Sequence, residues 1–75
     1  MTPTDLANLL AEMLSGAVGQ DKAYWHKLIG PVTKLPITMN IHSNWSVSPI
    51  ATGEELRAIV AAVELVRAEH PYVTG

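Results

Sequence analysis

Hydrophobic and polar positions follow a helical period near the start of the chain. Apolar residues there recur at the spacing of one helix face, and polar residues occupy the opposite face. The apolar positions are Leu6, Leu9, Leu10, Met13 and Leu14. Thr2 is typical of an N-cap, Pro3 suits the first helical position, and Asp5 follows three residues after the cap. The pattern predicts a helix over about 3–15.

A second helical pattern occupies the end of the chain and starts with the spacing of a capping box. Thr52 can accept a hydrogen bond from the amide of Glu55, whose side chain can reach back. The apolar stripe that follows consists of Leu56, Ile59, Val60, Val63 and Val66. Arg67 in the last turn suits the helix dipole, and Pro71 ends the element. We predict a helix over about 53–70.

This second helix carries a further apolar surface almost opposite its main stripe. Leu65 lies there among Ala58, Ala61, Ala62 and Ala68. One small domain cannot easily bury two sides of a helix, and small residues around a leucine allow another helix to approach closely. We therefore expect self-association through Ala58, Ala61 and Leu65. The alternative is that alanine occurs here only as a strong helix former.

A short helix is predicted between these two elements. Asp21 can cap a helix over about 21–29, which Gly30 and Pro31 then end. Its apolar side consists of Tyr24, Trp25, Leu28 and Ile29. Because an isolated helix of this length is not stable in water, it must pack on the rest of the domain.

From Pro36 onward the period changes from helical to alternating. Ile37, Met39 and Ile41 share one face, as in a strand that is covered on one side. Trp45 and Val47 continue the alternation, with Ser43-Asn44 as a tight connection. The pattern predicts a small β-hairpin over about 36–48.

Together these elements predict an α+β fold, with helices packed over a minimal antiparallel hairpin in a single small domain, 1–75. The alternative is an all-α fold with an extended middle loop. A chain of 75 residues without cysteine has little core and no disulfide to stabilise it, while 48% of its residues are hydrophobic. We therefore expect a homo-oligomer, with a dimer favoured because two-fold assemblies are commonest.

Charge and segment composition argue against several functional classes. The net charge of -2 lacks the basic surface that general nucleic-acid binding requires. No stretch has the apolar length of a membrane span, and the first residues lack the pattern of a secretory signal. We expect a cytoplasmic protein without membrane contact. In a cytoplasmic protein we expect the glycosylation pattern Asn44-Trp45-Ser46 to remain unmodified.

No spacing in the chain is specific for catalysis or metal binding. His26, His42 and His70 lie in three different predicted elements, without the i, i+4 spacing that presets a metal site. His42 and Ser43 are adjacent, so on a strand they project to opposite faces. Glycine-rich phosphate motifs are incomplete around Gly16. We predict no enzyme activity, no cofactor and no metal.

The segment from 22 to 45 combines aromatic and basic residues. Tyr24, Trp25 and Trp45 are candidate contacts to a protein partner, because such aromatic residues are the usual anchors of interfaces. Both tryptophans also fit apolar patterns typical of core positions. The predicted function is a small non-enzymatic protein-interaction module that self-associates through helix faces. The alternative is a nucleic-acid-binding accessory protein that uses Lys22, Lys27 and Lys34 with an exposed tryptophan.

Overall fold

Three helices and a two-stranded antiparallel sheet make up the computed structural model, which describes residues 1–39 and 41–74. The elements are α1 (Pro3–Ala17), α2 (Lys22–Ile29), β1 (Thr33–Lys34), β2 (Trp45–Ser46) and α3 (Gly53–Glu69). Helix α1 packs against both other helices. The predicted α+β fold is confirmed. None of the helices in the described ranges has the length and apolarity needed to cross a bilayer.

A complete capping box starts α1. The Thr2 hydroxyl accepts a hydrogen bond from the amide of Asp5 at 3.1 Å, and the Asp5 carboxylate accepts one from the amide of Thr2 at 3.0 Å. These bonds satisfy amides that a helix start would otherwise leave unpaired. The predicted N-terminus is confirmed. The helix continues beyond the predicted end to Ala17, because Gly16 lies on the exposed side, where a missing side chain removes no packing.

The start of α3 lies where the sequence predicts it, but its capping is different. The Thr52 side chain makes no capping hydrogen bond, so the capping box predicted there is wrong. Gly53 adopts a φ of +61°, a left-handed conformation that turns the chain between Thr52 and the first helical amides. Glu55 instead accepts a hydrogen bond from the Tyr24 hydroxyl, which links α3 to α2 and raises the pKa of Tyr24.

Both tryptophans lie in the core. The buried apolar residues form one cluster: Leu6, Leu10, Ala11, Leu14, Trp25, Ile29, Trp45, Ile59, Ala62, Val63, Val66 and Val73. The Trp25 indole N–H donates to the carbonyl of Gly19 at 2.7 Å, and that of Trp45 donates to the carbonyl of His70 at 2.9 Å. Each ring is therefore buried without an unpaired polar group, as a buried indole requires.

The hairpin is shorter than predicted, and its first strand lies earlier in the chain. Thr33 pairs with Ser46, and Lys34 pairs with Trp45. The residues predicted to form the first strand lie instead in turns, with their side chains exposed: Ile37, Met39 and Ile41. Asn40, in the middle of that prediction, lies outside the described residues.

Pro36 explains why the first strand ends early. Proline has no N–H to continue a ladder, so the amide of Leu35, which donates to Asn44 at 2.7 Å, gives the last bond before it. The amide of Met39 then donates to the carbonyl of Pro36 at 3.2 Å and forms a turn. Aliphatic alternation without a pairing partner does not make a strand.

Asn44 joins three segments of the chain and is not the tight turn residue that the sequence predicts. Among the described residues it is the one buried polar side chain, with 5% of its surface exposed. Its amide nitrogen donates to the carbonyl of Val73 at 2.9 Å, and its amide oxygen accepts from the N–H of Val73 at 2.6 Å. Its backbone N–H donates to Pro71 at 3.1 Å. The side chain thus pairs with the C-terminal segment as a strand would.

Replacing Asn44 should destabilise the fold strongly. Asn44→Ala leaves the N–H and carbonyl of Val73 without partners, and each unpaired buried group costs about 1–3 kcal/mol. We expect the free energy of unfolding, measured by urea titration, to fall by about 2–4 kcal/mol. The control is Asn8→Ala on the exposed face of α1, which should change it by less than about 0.5 kcal/mol. Equal urea midpoints for Asn44→Ala and Asn8→Ala would contradict the anchoring role of Asn44.

The capping box of α1 should make stability depend on pH. The hydrogen bonds from the backbone and side chain of Thr2 lower the pKa of the Asp5 carboxyl below its ordinary value. A carboxylate with a depressed pKa stabilises the fold above its unfolded pKa, and this contribution disappears as pH falls through the folded pKa. The difference in unfolding free energy between wild type and Asp5→Asn should therefore be largest near neutral pH and vanish in acid. A difference that stays constant across this range would refute the assignment.

Candidate functional site

An apolar groove lies where the last turns of α1 meet the middle of α3. It has a volume of about 220 Å³, and we call it the α1–α3 groove. Its lining residues are all apolar: Met13, Leu14, Ala17, Val18, Ala58, Ala61, Ala62 and Leu65. No charged or hydroxyl side chain among the described residues contributes to the lining. The chemistry of the groove therefore fits another apolar surface.

The shape of the groove follows from side-chain size. Leu14 and Ala62 are buried and form its floor, whereas Leu65 on α3 is 61% exposed and Val18 after α1 is 57% exposed. Leu65 also lines a second, smaller hollow of about 120 Å³, with Leu9, Met13, Val66, Glu69 and His70. Leu65 therefore forms a ridge between two hollows.

The structure brings together the three residues predicted for self-association. Ala58, Ala61 and Leu65 all line the α1–α3 groove. Sequence reasoning missed Ala17 and Val18, because the first helix was expected to end near residue 15. The signal was available, since both continue the i+3 and i+4 spacing from Leu14.

Acidic residues flank the exposed side of this groove. Glu69 is one helical turn after Leu65, Glu54 is three turns before it, and both are exposed. Any partner that covers the whole length of this α3 face must therefore accommodate two carboxylates.

The aromatic candidates of the middle segment are not free on the surface. Trp25 and Trp45 are buried, so neither presents a ring to a protein partner or to a nucleic-acid base in this conformation. Tyr24 is partly exposed, but its ring packs edge-on against Trp25 with centroids 5.4 Å apart, and its hydroxyl donates to Glu55. The middle segment instead exposes the aliphatic residues of its turns, Ile37, Met39 and Ile41.

The three lysines do not lie around an exposed tryptophan. The Lys22 ammonium is 3.4 Å from the carboxylate of Glu12 in an exposed ion pair. Lys27 and Lys34 have exposed side chains on α2 and β1. The nucleic-acid alternative needs bases to stack on an exposed indole, and the burial of both rings leaves the lysines without that platform.

Arg67 is a site residue that sequence reasoning assigned only to the helix dipole. Its guanidinium carbon lies 4.4 Å from the centroid of the Trp45 ring, its Nε donates to the Ser43 hydroxyl at 3.1 Å, and an Nη donates to the carbonyl of Trp45 at 3.0 Å. No sequence signal predicts these contacts, because Ser43 and Trp45 reach α3 only through the tertiary fold.

A hollow of about 400 Å³ lies beside this arginine, and we call it the Arg67 hollow. Its described lining consists of Leu35, Met39, Ile41, His42, Ser43, Trp45, Ser46 and Arg67. Leu35, Met39, Ile41 and Trp45 form the apolar part of the wall, and the hydroxyl of Ser43 accepts a hydrogen bond from the guanidinium.

The described residues contain no ready-made metal cluster. In residues 1–39 and 41–74, no group of three or more His, Cys, Asp or Glu side chains is placed to hold an ion. The glycosylation pattern at Asn44 is blocked in the folded state, because the amide nitrogen that would carry the glycan is buried and donates to Val73.

The structure thus offers two candidate surfaces, the α1–α3 groove and the Arg67 hollow. The first is wholly apolar, and the second combines apolar walls with one cation. Comparison with protein-family models, curated proteins and solved structures gave no match to this chain.

Proposed function

We propose that this chain is a small non-enzymatic interaction module that self-associates through the α1–α3 groove. The observation that carries the proposal is the groove itself, a hollow lined only by apolar residues, with the exposed ridge of Leu65 beside it. Contiguous exposed apolar surface is a feature of sites where proteins contact a partner.

A second copy fits this surface because ridge and hollow occur side by side. In a two-fold interface the same patch is used twice, so the ridge of each copy can enter the hollow of the other. An antiparallel crossing of two α3 helices between Ala61 and Ala62 brings Leu65 of one copy opposite Ala58 of the other, since both are equally far from the crossing point. Alanine leaves room there for the leucine.

Hydrophobic burial supplies the driving force in this arrangement. Full burial of one leucine contributes about 1.5–3 kcal/mol, and two-fold symmetry provides two such contacts. A micromolar dimer requires about 8 kcal/mol net. The rest of the binding free energy must come from other apolar residues along the groove, such as Met13 and Val18, which are also available for burial.

The flanking carboxylates favour a dimer in which the two α3 helices cross at an angle over one in which their axes are aligned. Glu54 and Glu69 lie about 11 Å from the crossing point, given a rise of about 1.5 Å per residue. When helices cross at about 50°, as ridge-in-groove packing prefers, their ends diverge. The carboxylates of the two copies are then separated by more than about one Debye length at physiological salt.

Substitution of Leu65 tests self-association directly. Leu65→Glu places a charge in the centre of the interface, and because this side chain is 61% exposed, the change should leave the folded chain intact. Sedimentation velocity should show wild type at twice the chain mass of 8.1 kDa at micromolar concentration, and the variant at the single mass.

Val60→Glu is the matched control. Val60 is an exposed aliphatic residue on the same helix, at 46% exposure, and it does not line the groove. This variant should sediment like wild type. A wild-type chain that stays monomeric to millimolar concentration would overturn the proposal, as would a Leu65→Glu variant that associates as strongly as Val60→Glu.

A further inference from the structure

Arg67 is held in place rather than free to move in solvent. Its guanidinium lies against the face of Trp45 and donates to Ser43 and to the backbone of Trp45. These contacts fix both the position and the direction of the remaining donors. A cation over an indole ring is further stabilised by the charge distribution of the ring.

The guanidinium retains donors for a ligand. It has five N–H groups, and the two hydrogen bonds to Ser43 and Trp45 use two of them. Both acceptors are neutral. In the part of the chain that the structure describes, no carboxylate lies within ion-pair distance of Arg67. No side-chain anion among the described residues therefore pairs with the charge of Arg67.

The lining of the Arg67 hollow contains no acidic residue among those described. His42 and Arg67 are its titratable or charged groups, and Ser43 and Ser46 supply hydroxyls. Glu64 lines the neighbouring hollow on another side of Arg67, and a bound anion has to tolerate it. Local charge in the Arg67 hollow thus favours an anion.

The same hollow also has an apolar wall, much of which is exposed to solvent. Met39 is 82% exposed and Ile41 is 66% exposed, although both line the hollow beside the buried Trp45. Covering aliphatic side chains this exposed with a ligand lowers the free energy of the complex, because apolar surface is removed from water. The hollow of about 400 Å³ lies within the size range of small-ligand sites, about 300–1,000 Å³.

We propose that the Arg67 hollow binds a carboxylate carried on an apolar body, with the carboxylate on the guanidinium and the apolar part against Met39, Ile41 and Trp45. Two independent observations support this ligand class: a fixed cation without an acidic partner among the described residues, and exposed aliphatic residues next to it. Arginine suits the role because its fork of donors matches a carboxylate.

Two sources present this chemistry: a small free carboxylic acid, and the C-terminal carboxylate of a peptide with an apolar last residue. Both place the same two groups in the hollow. The test therefore uses one probe for each source, together with an amide of each that keeps the shape and removes the charge.

The experiment is an ¹H–¹⁵N NMR titration of the full chain at neutral pH. Hexanoate should shift the indole N–H resonance of Trp45 and the Nε–H resonance of Arg67. Hexanamide should bind at least about ten-fold more weakly, because it lacks the charge-assisted hydrogen bonds that a carboxylate accepts from the guanidinium. An acetylated tripeptide ending in leucine, with a free or amidated terminus, forms the second arm. Tighter binding of hexanoate indicates a small acid, and tighter binding of the tripeptide indicates a protein terminus.

Variants separate the two halves of the site. Arg67→Gln should weaken hexanoate binding by at least about ten-fold, and Arg67→Lys should restore only part of the affinity, because lysine keeps the charge without the fork. Since Arg67 also supports Ser43 and Trp45, Met39→Ser provides a test that leaves these contacts intact. Met39→Ser should weaken hexanoate binding, and its spectrum should remain that of a folded protein.

Ile50→Ser is the matched control, because Ile50 is similarly exposed but does not line the hollow. It should bind hexanoate as wild type does. Equal affinities for hexanoate and hexanamide would overturn the proposal, as would the absence of shifts at millimolar hexanoate. Equal loss in Met39→Ser and Ile50→Ser would overturn it as well.

Discussion

The paired hydrogen bonds between the Asn44 side chain and the backbone of Val73 hold the fold together. Residues 70–74, the described part of the segment after α3, form no helix or strand, so the buried N–H and carbonyl of Val73 need partners from elsewhere. Asn44 provides both, and its own backbone is also hydrogen-bonded to Leu35, directly after β1, and to Pro71. Because Trp45 directly follows Asn44, the same anchor places this indole in the core, where it donates to the end of α3. In the described residues the sheet has two strands of two residues each, and this side-chain pairing connects the residue before β2 to the segment that follows α3.

The position of Trp45 in turn determines one of the two candidate surfaces. Arg67 lies against its ring, so the cation of the Arg67 hollow depends on the burial of an indole that the Asn44 anchor places. The other surface arises independently, from the packing of α1 on α3. Leu65 and Arg67 are two residues apart, which is roughly 200° around a helix. Helix α3 therefore separates the α1–α3 groove from the Arg67 hollow. A dimer formed through the groove would leave the Arg67 hollow of each copy open to ligand.

Local patterns in the sequence predicted the helices well, and they failed where a residue's role depended on distant partners. The capping box at Thr2 and the second apolar face around Leu65 can be read from spacing alone. The box predicted at Thr52 has the same spacing, but the left-handed backbone of Gly53 and the contact between Tyr24 and Glu55 replace it. The strand predicted through Ile37 fails for a related reason. Alternation favours a strand only when another segment pairs with it, and Pro36 ends that pairing.

The sequence by itself determined the three helices to within two residues at each end, the α+β class, and the apolar side of α3 that the first helix does not fully cover. These features depend on residue spacing within a few turns, which the chain carries locally. Only the tertiary structure decided that both tryptophans are buried, that Asn44 is a buried anchor, and that Arg67 meets Trp45 beside an exposed aliphatic wall. The physical reason is that burial and hydrogen-bond partners are set by contacts between residues more than twenty positions apart, such as Asn44 with Val73 and Arg67 with Ser43.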